Sequence, residues 1–250
     1  MAPDKDLLKK YNDFAESKTL DESLAFFAGE FSGKAVFSSS LGFEDQALTH
    51  AIYSQKIPIS IFTLDTGRLF QETYALIEKV REVYGQAIRI YFPDTKAVEA
   101  LVNAKGASSF YESVDNRKEC CGIRKVEPLR RALAGQKLWI TGIRADQSGT
   151  RKDLPMVEWD ESHQLLKFHP LLHWSLAQVK DYVKKNKVPY NPLHDKGFPS
   201  IGCAPCTRAI AEGEDVRAGR WWWELPEQKE CGIHIQDGKI VRKNKAVASE

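Results

Sequence analysis

The chain has 250 residues, 42% of them hydrophobic and 28% charged, with a formal net charge of +2. Those values suit one globular domain of ordinary core size, alone or with an appended tail, and leave any affinity for anions to local patches rather than to bulk charge. No apolar run reaches the roughly eighteen residues a spanning helix needs, and the opening MAPDKDLLKKYNDF lacks the apolar stretch of a secretory signal, which excludes both classes.

Residues 4–30 read as helical, with Leu7, Leu8, Tyr11, Phe14, Leu20, Leu24 and Phe27 at helical spacing. Lys34–Ser39 reads as a short buried strand running into a serine- and glycine-rich loop. Glu44–Gln55 reads as a helix and Ile59–Leu64 as a second strand. Phe70–Tyr84 places Phe70, Tyr74, Ile77, Val80 and Tyr84 on one helical face, with Gly85 as its stop. Ile88–Phe92 is a third strand, Arg117–Ala134 a basic helix and Leu138–Thr141 a fourth strand. Ser175 with Gln178 forms a capping box for a helix through Lys185. Strands alternating with helices predict an α/β fold, a single domain with a mainly parallel central sheet flanked by helices. Ligands of such sheets bind beyond the carboxyl ends of strands. The expected division is 1–225 for the α/β domain and 226–250 for a mobile C-terminal segment.

Three segments leave strands at that edge. Ser38-Ser39-Ser40-Leu41-Gly42-Phe43-Glu44-Asp45 opens a helix, where serine hydroxyls and helix amides suit phosphate oxygens. It lacks the Gly-Lys-Ser/Thr ending of a Walker loop, and an ordinary serine-capped turn is the alternative. Leu64-Asp65-Thr66-Gly67-Arg68 offers Asp65 to a ribose and Arg68 to a phosphate or sulfate, or else is a turn capped by Asp65. Thr141–Arg151 carries Arg144 and Arg151 among glycine and serine, which suits an oxyanion or a solvated loop.

The five cysteines are Cys120, Cys121, Cys203, Cys206 and Cys231. In a cytoplasmic protein, the expected location, thiols stay reduced unless they bind metal or do redox work. Two tight pairs plus a fifth suggest four ligands and one working thiol. Four thiolates satisfy a 4Fe–4S cubane; tetrahedral zinc or a Cys203/Cys206 dithiol are the rivals. The cations around the pairs, Arg117, Lys118, Arg124, Lys125, Arg130, Arg131 and Arg208, suit an anionic cluster or form a solvated face. In Glu230-Cys231-Gly232-Ile233-His234, His234 is placed to favour a Cys231 thiolate. Trp221–Trp223 suit either a partner surface or a cover over the metal site.

Cys120-Cys121, Gly202-Cys203-Ala204-Pro205-Cys206 and Glu230–His234 together resemble the assimilatory adenylyl-sulfate reductases, within the wider phosphoadenylyl-sulfate reductase family, over about residues 30–235. The resemblance implies a fold similar to the adenine-nucleotide hydrolase-like ATP pyrophosphatases. It also implies that Ser38, Ser39, Ser40, Gly42, Asp45, Leu64, Asp65, Thr66, Gly67 and Arg68 hold the adenylyl part. Arg144, Arg151, Arg217 and Arg220 would grip phosphate and sulfate, and Lys125 would stand between cluster and substrate. Cys120, Cys121, Cys203 and Cys206 would hold a 4Fe–4S cluster, and Cys231, with His234 beside it, would be the nucleophile. No fused thioredoxin-like domain follows Cys231, so a separate thioredoxin or glutaredoxin-like reductant is expected. Neither a nucleic-acid nor a membrane partner is expected, and a homo-oligomer is compatible with the reading. The alternatives are a phosphoadenylyl-sulfate or dual-specificity reductase, a PP-loop ATP pyrophosphatase, and a zinc- or redox-binding module.

Overall fold

The computed structural model describes residues 3–147 and 153–225, so Arg151, Cys231 and His234 lie outside the described residues. Six strands form one sheet: β1 (Ala35–Ser38), β2 (Ser60–Leu64), β3 (Arg89–Tyr91), β4 (Leu138–Ile140), β5 (Val157–Asp160) and β6 (Leu165–Phe168). Their order is β3-β2-β1-β4-β6-β5, parallel throughout except that β5 pairs antiparallel with β6 at one edge. The mainly parallel α/β fold read from the sequence is the fold observed.

Period-two alternation sorts the strand residues between two cores. Phe37, Ile61 and Ile140 face the larger core, packed with α2 (Leu20–Glu30), α3 (Phe43–Ser54) and α8 (Leu176–Lys185). Their neighbours Val36, Phe62 and Trp139 face the other way, against Leu129, Ala132 and Leu133 of α7 (Glu127–Leu133). α1 (Lys5–Ser17) lies over β5, where Asn12 exchanges hydrogen bonds of 2.8 and 2.9 Å with the Val157 backbone.

Several elements differ from expectation for identifiable reasons. The helix expected over 4–30 is two, because Thr19 and Glu22 form a capping box that starts α2 anew. The basic helix starts earlier, at a Ser113 cap, as α6 (Val114–Cys121). It widens into a π-type segment, Gly122–Val126, before α7. Pro128 has no N–H to return to the carbonyl of Arg124, which breaks the regular ladder there. α4 (Gln71–Tyr84) ends at Gly85 in the left-handed region, as its sequence predicts. α5 (Thr95–Lys105), β5 and β6 were not foreseen.

From β1 the chain winds outward through β2 and β3, then returns to β4 on the other side of β1. The carboxyl ends of β1 and β4 therefore flank a topological switch point, where a crevice opens.

Candidate active site

The crevice is a cavity of about 610 Å³. Ser38, Ser39, Ser40, Gly42 and Asp45 line it from the β1–α3 segment, Leu64 and Thr66 from the end of β2, and Gly142 and Arg144 from the segment after β4. Lys125, Cys203, Arg217 and Arg220 line it from the cysteine-bearing side.

The β1–α3 loop is held by its own side chains. Asp45 is buried and accepts from the Ser40 N–H at 2.5 Å and the Ser40 hydroxyl at 2.6 Å. Leu41 sits between them at φ 65 with its side chain buried, a conformation that core packing must hold in place. Burial pushes the Asp45 carboxyl up to about 7, against the lowering effect of the Ser40 hydrogen bonds and with the Glu44 charge adding to the rise. At the end of β1, Ser38 accepts the indole N–H of Trp139 at 2.7 Å.

The segment after β2 is used differently from expectation. Asp65 is buried and accepts from Gly67 N–H at 2.7 Å and the Tyr74 hydroxyl at 2.9 Å, so it closes its own turn. Gly67 takes φ 71 there. Arg68 points away from the large cavity, donating to the Ala107 carbonyl and lying 4.9 Å from the Phe110 ring centroid. Of the residues expected to bind the nucleotide, Asp65, Gly67 and Arg68 are thus not on the cavity wall, because the turn directs them beneath it.

Arg68 instead reaches a second, small cavity of about 20 Å³ lined by Cys120, Cys121, Cys203 and Cys206, with Arg117, Arg124 and Lys125. The two cysteine pairs arrive on separate elements. Cys120 and Cys121 end α6, and Cys203 and Cys206 bracket a turn that hydrogen-bonds Ala204 N–H to the Arg68 carbonyl at 2.7 Å. Thr66 Oγ1 lies 3.2 Å from Cys203 Sγ. Burial raises the Cys203 thiol, but Lys125, the Thr66 hydrogen bond and Arg220 outweigh it and bring the thiol below its ordinary range. Cys206 is pushed up to about 12 by burial and by its neighbours Cys203 and Cys121, and burial also raises Cys120. Three buried thiols and a half-buried one, Cys120, cannot ionise together without a compensating cation, and that chemistry fits a metal centre. Among the described residues no three His, Cys, Asp or Glu side chains converge as ligands of one metal ion. A cubane spreads its four cysteine sulfurs more widely than a single tetrahedral ion does.

Lys125, Cys203 and Trp221 line both cavities and form the wall between them. Trp221 is held at φ 42 between two guanidinium groups, Arg117 at 4.7 Å and Arg220 at 4.9 Å from its ring centroid. Trp222 is exposed, whereas Trp223 packs against Tyr111 and the cysteine cluster. Sequence reasoning did not single out Glu44, Gln147, Trp139 or Glu224. Glu44 and Gln147 stood inside recognised motifs, but nothing marked Trp139 or Glu224 as partners of Ser38 and Arg117.

Fold and crevice together define an α/β protein with a mainly parallel sheet, a large cavity at its switch point and a four-cysteine site beside that cavity. The sequence matches the family described as the phosphoadenosine phosphosulfate reductase domain over residues 34–209. An adenosine 5'-phosphosulfate reductase of Allochromatium vinosum is 57% identical over 202 residues, covering 81% of this chain and 79% of that protein. A protein of the same name from Sinorhizobium fredii is 49% identical over 92% of this chain and 91% of its own. The solved phosphoadenylyl-sulfate reductase of Candida auris superposes with a TM-score of 0.71 at 28% identity, over 84% of this chain and 99% of its own. The chain belongs to the phosphoadenosine phosphosulfate reductase family. An FMN adenylyltransferase of Candida glabrata, at 17% identity and a TM-score of 0.52 over 92% of this chain and 80% of its own, shares the fold alone.

Proposed function

We propose that the protein reduces adenylyl sulfate to sulfite and AMP in assimilatory sulfate reduction, leading to cysteine biosynthesis, with a thioredoxin-like dithiol as reductant. The observation that carries this reading is the shared wall, in which Lys125 and Cys203 border both the large cavity and the four-cysteine cavity. An adenylyl group in the large cavity would direct its sulfuryl end towards Lys125, Arg217 and Arg220.

Cys120, Cys121, Cys203 and Cys206 would hold a 4Fe–4S cluster, consistent with four thiols, three of them buried, around one small cavity ringed by cations. When bound, that cluster supplies a fixed charge and a rigid scaffold beside Lys125. In the chemical step the Cys231 thiolate attacks the sulfuryl sulfur. The S–O bond to AMP breaks, its electron pair stays on the phosphate oxygen, and an S-sulfocysteine forms at Cys231. Negative charge grows on sulfate and phosphate oxygens, where Lys125, Arg217, Arg220 and Arg151 would stabilise it. His234 would favour the Cys231 thiolate. A thiolate of the dithiol protein then attacks the Cys231 sulfur and sulfite leaves with the S–S electron pair. The second thiol resolves the mixed disulfide, so the two electrons come from the dithiol.

The family description and the Candida auris structure favour a second reading, in which the substrate also carries a 3′-phosphate. The experiment is anaerobic purification with iron, sulfide and zinc analysis, followed by sulfite release from each nucleotide with thioredoxin. The expected result is about four irons and four sulfides per chain, turnover of adenylyl sulfate and no hydrolysis of ATP. Stoichiometric zinc without iron defeats the cluster assignment, and preferred turnover of the 3′-phosphorylated nucleotide selects the second reading.

A further inference from the structure

Arg144 lines the nucleotide cavity, but its guanidinium is turned into the protein. Nε donates to Glu44 Oε1 at 2.7 Å, and Nη1 engages the Asp146 carboxylate and, at 3.4 Å, the Trp174 carbonyl. The side chain is only 5% exposed and that of Glu44 14%. Gln147 completes a ring. Its Nε2 donates to the same Glu44 oxygen at 3.1 Å, and its Oε1 accepts the backbone N–H of Arg144 at 3.2 Å. To grip a sulfuryl or phosphate oxygen, Arg144 would have to abandon two carboxylates, one of them largely buried, and an abandoned buried charge is costly.

What this ring joins matters more than its strength. Glu44 is the second residue of α3, directly after the serine loop of β1, whereas Arg144 and Gln147 follow β4. These are the two strands that flank the switch point. The segment after β4 packs tightly against the start of α3 at Gly142, where a Cβ would collide with the Asp45 carboxylate and come within 3.2 Å of the Glu44 Cβ. Even a displacement of about 1 Å between such segments degrades a site that must hold a ligand in one geometry.

We propose that the Glu44–Arg144 pair is a positioning device that fixes the segments 39–42 and 141–143 against each other for the AMP part of the substrate, and that Arg144 does not hold the sulfuryl group. The proposal rests on the reading of the large cavity as the adenylyl-sulfate site. It assigns to Arg144 a role different from that of Arg217 and Arg220.

The test uses the full chain with Glu44→Gln, Arg144→Lys, Arg144→Met and the double variant Glu44→Gln/Arg144→Met. AMP affinity is measured by calorimetry, and KM and kcat for adenylyl sulfate by sulfite release. The AMP dissociation constant and the KM are expected to rise together, by about tenfold in each single variant, with kcat within about twofold of wild type. Arg144→Lys is expected to do no better than Arg144→Met, because an ammonium cannot fork between two carboxylates and a carbonyl. The double variant is expected to be no worse than the worse single one, since both remove the same contact. The proposal is overturned if Arg144→Met leaves AMP binding intact while KM rises or kcat falls for adenylyl sulfate, for then the guanidinium serves the sulfuryl group. It is equally overturned if Glu44→Gln, which is isosteric and decides the matter should Arg144→Met fold poorly, changes neither constant. A wild-type protein that binds AMP but releases no sulfite would defeat the reductase reading alone, and the calorimetry would still judge the pair.

Discussion

Arg117 and Glu224, 107 positions apart, meet in a two-point buried pair, Nε to Oε1 at 2.9 Å and Nη2 to Oε2 at 2.7 Å. The side chains are 1% and 3% exposed. Arg117 comes from the helix that ends in Cys120-Cys121, and Glu224 stands at the end of the described chain. The pair therefore clasps the cysteine-bearing helix to the segment that leads towards Cys231. Removing one partner strands a buried charge, so Glu224→Ala is expected to destabilise the fold by about 3–5 kcal/mol. Replacing both, in Arg117→Met/Glu224→Leu, is expected to cost less than either single change, because no charge is left behind. Urea unfolding of the wild type, Glu224→Ala, Arg117→Met and the double variant checks this. Additive losses in the double variant would refute the clasp.

Gly202 precedes Cys203 and supports Arg220. A Cβ at Gly202 would collide with the Arg220 guanidinium, with the central carbon only 2.6 Å away. Gly202→Ala must therefore push Arg220 off its place beside Ser200 and Trp221. If Arg220 serves the sulfuryl end, sulfite release should slow by about tenfold or more while AMP affinity holds within about twofold. Equal loss of both, measured by the same assay and by calorimetry, would place Arg220 with the nucleotide instead.

Gly142→Ala should behave in the opposite way. The added methyl meets the Asp45 carboxylate and the Glu44 Cβ, which are fixed at the start of α3 rather than at the end of a flexible chain. The segment after β4 must withdraw, and AMP affinity is expected to fall by about tenfold or more. A calorimetric titration that matches wild type would show that the segment tolerates the shift.

The strands β1, β2 and β4 were legible because they are short apolar runs, and the loops that follow them then fell at one sheet edge by topology alone. β5 and β6 were hidden by their own charges. Lys167 and Asp160 lie in these strands yet are buried, paired at 3.2 Å, with Lys167 also 4.5 Å from the Trp139 ring centroid. Glu158 likewise meets the fully buried His169 at 3.2 Å. Charges that satisfy each other in the interior look, in a sequence, like solvent-facing residues. The cysteine pairs were legible as pairs, because spacing carries that information. Spacing does not carry side-chain direction: Asp65 and Arg68 stand in a cavity-edge motif, but the turn aims both away from the cavity. Arg144 shows the same limit, since only the structure reveals that Glu44 and Asp146 already occupy its fork.

The serine loop should make stability depend on pH through Asp45. The folded protein holds this carboxyl at about 7, above the ordinary carboxylate value of about 4. The folded state therefore binds the proton more tightly than the unfolded state does. The stability this confers is fully present below about pH 4 and is lost as pH rises through about 7, at no more than about 1.4 kcal/mol per pH unit. Asp45→Asn keeps an oxygen for the Ser40 N–H and hydroxyl but has no proton to lose. Between pH 5.5 and 7.5, wild type should lose more stability than the variant, so that the gap between them shifts in favour of Asn as pH rises. Denaturant midpoints for both proteins at the two pH values give the answer. Parallel pH dependences would mean that Asp45 stays ionised throughout, and that Ser40 and the amides of the loop hold its charge more effectively than burial opposes it.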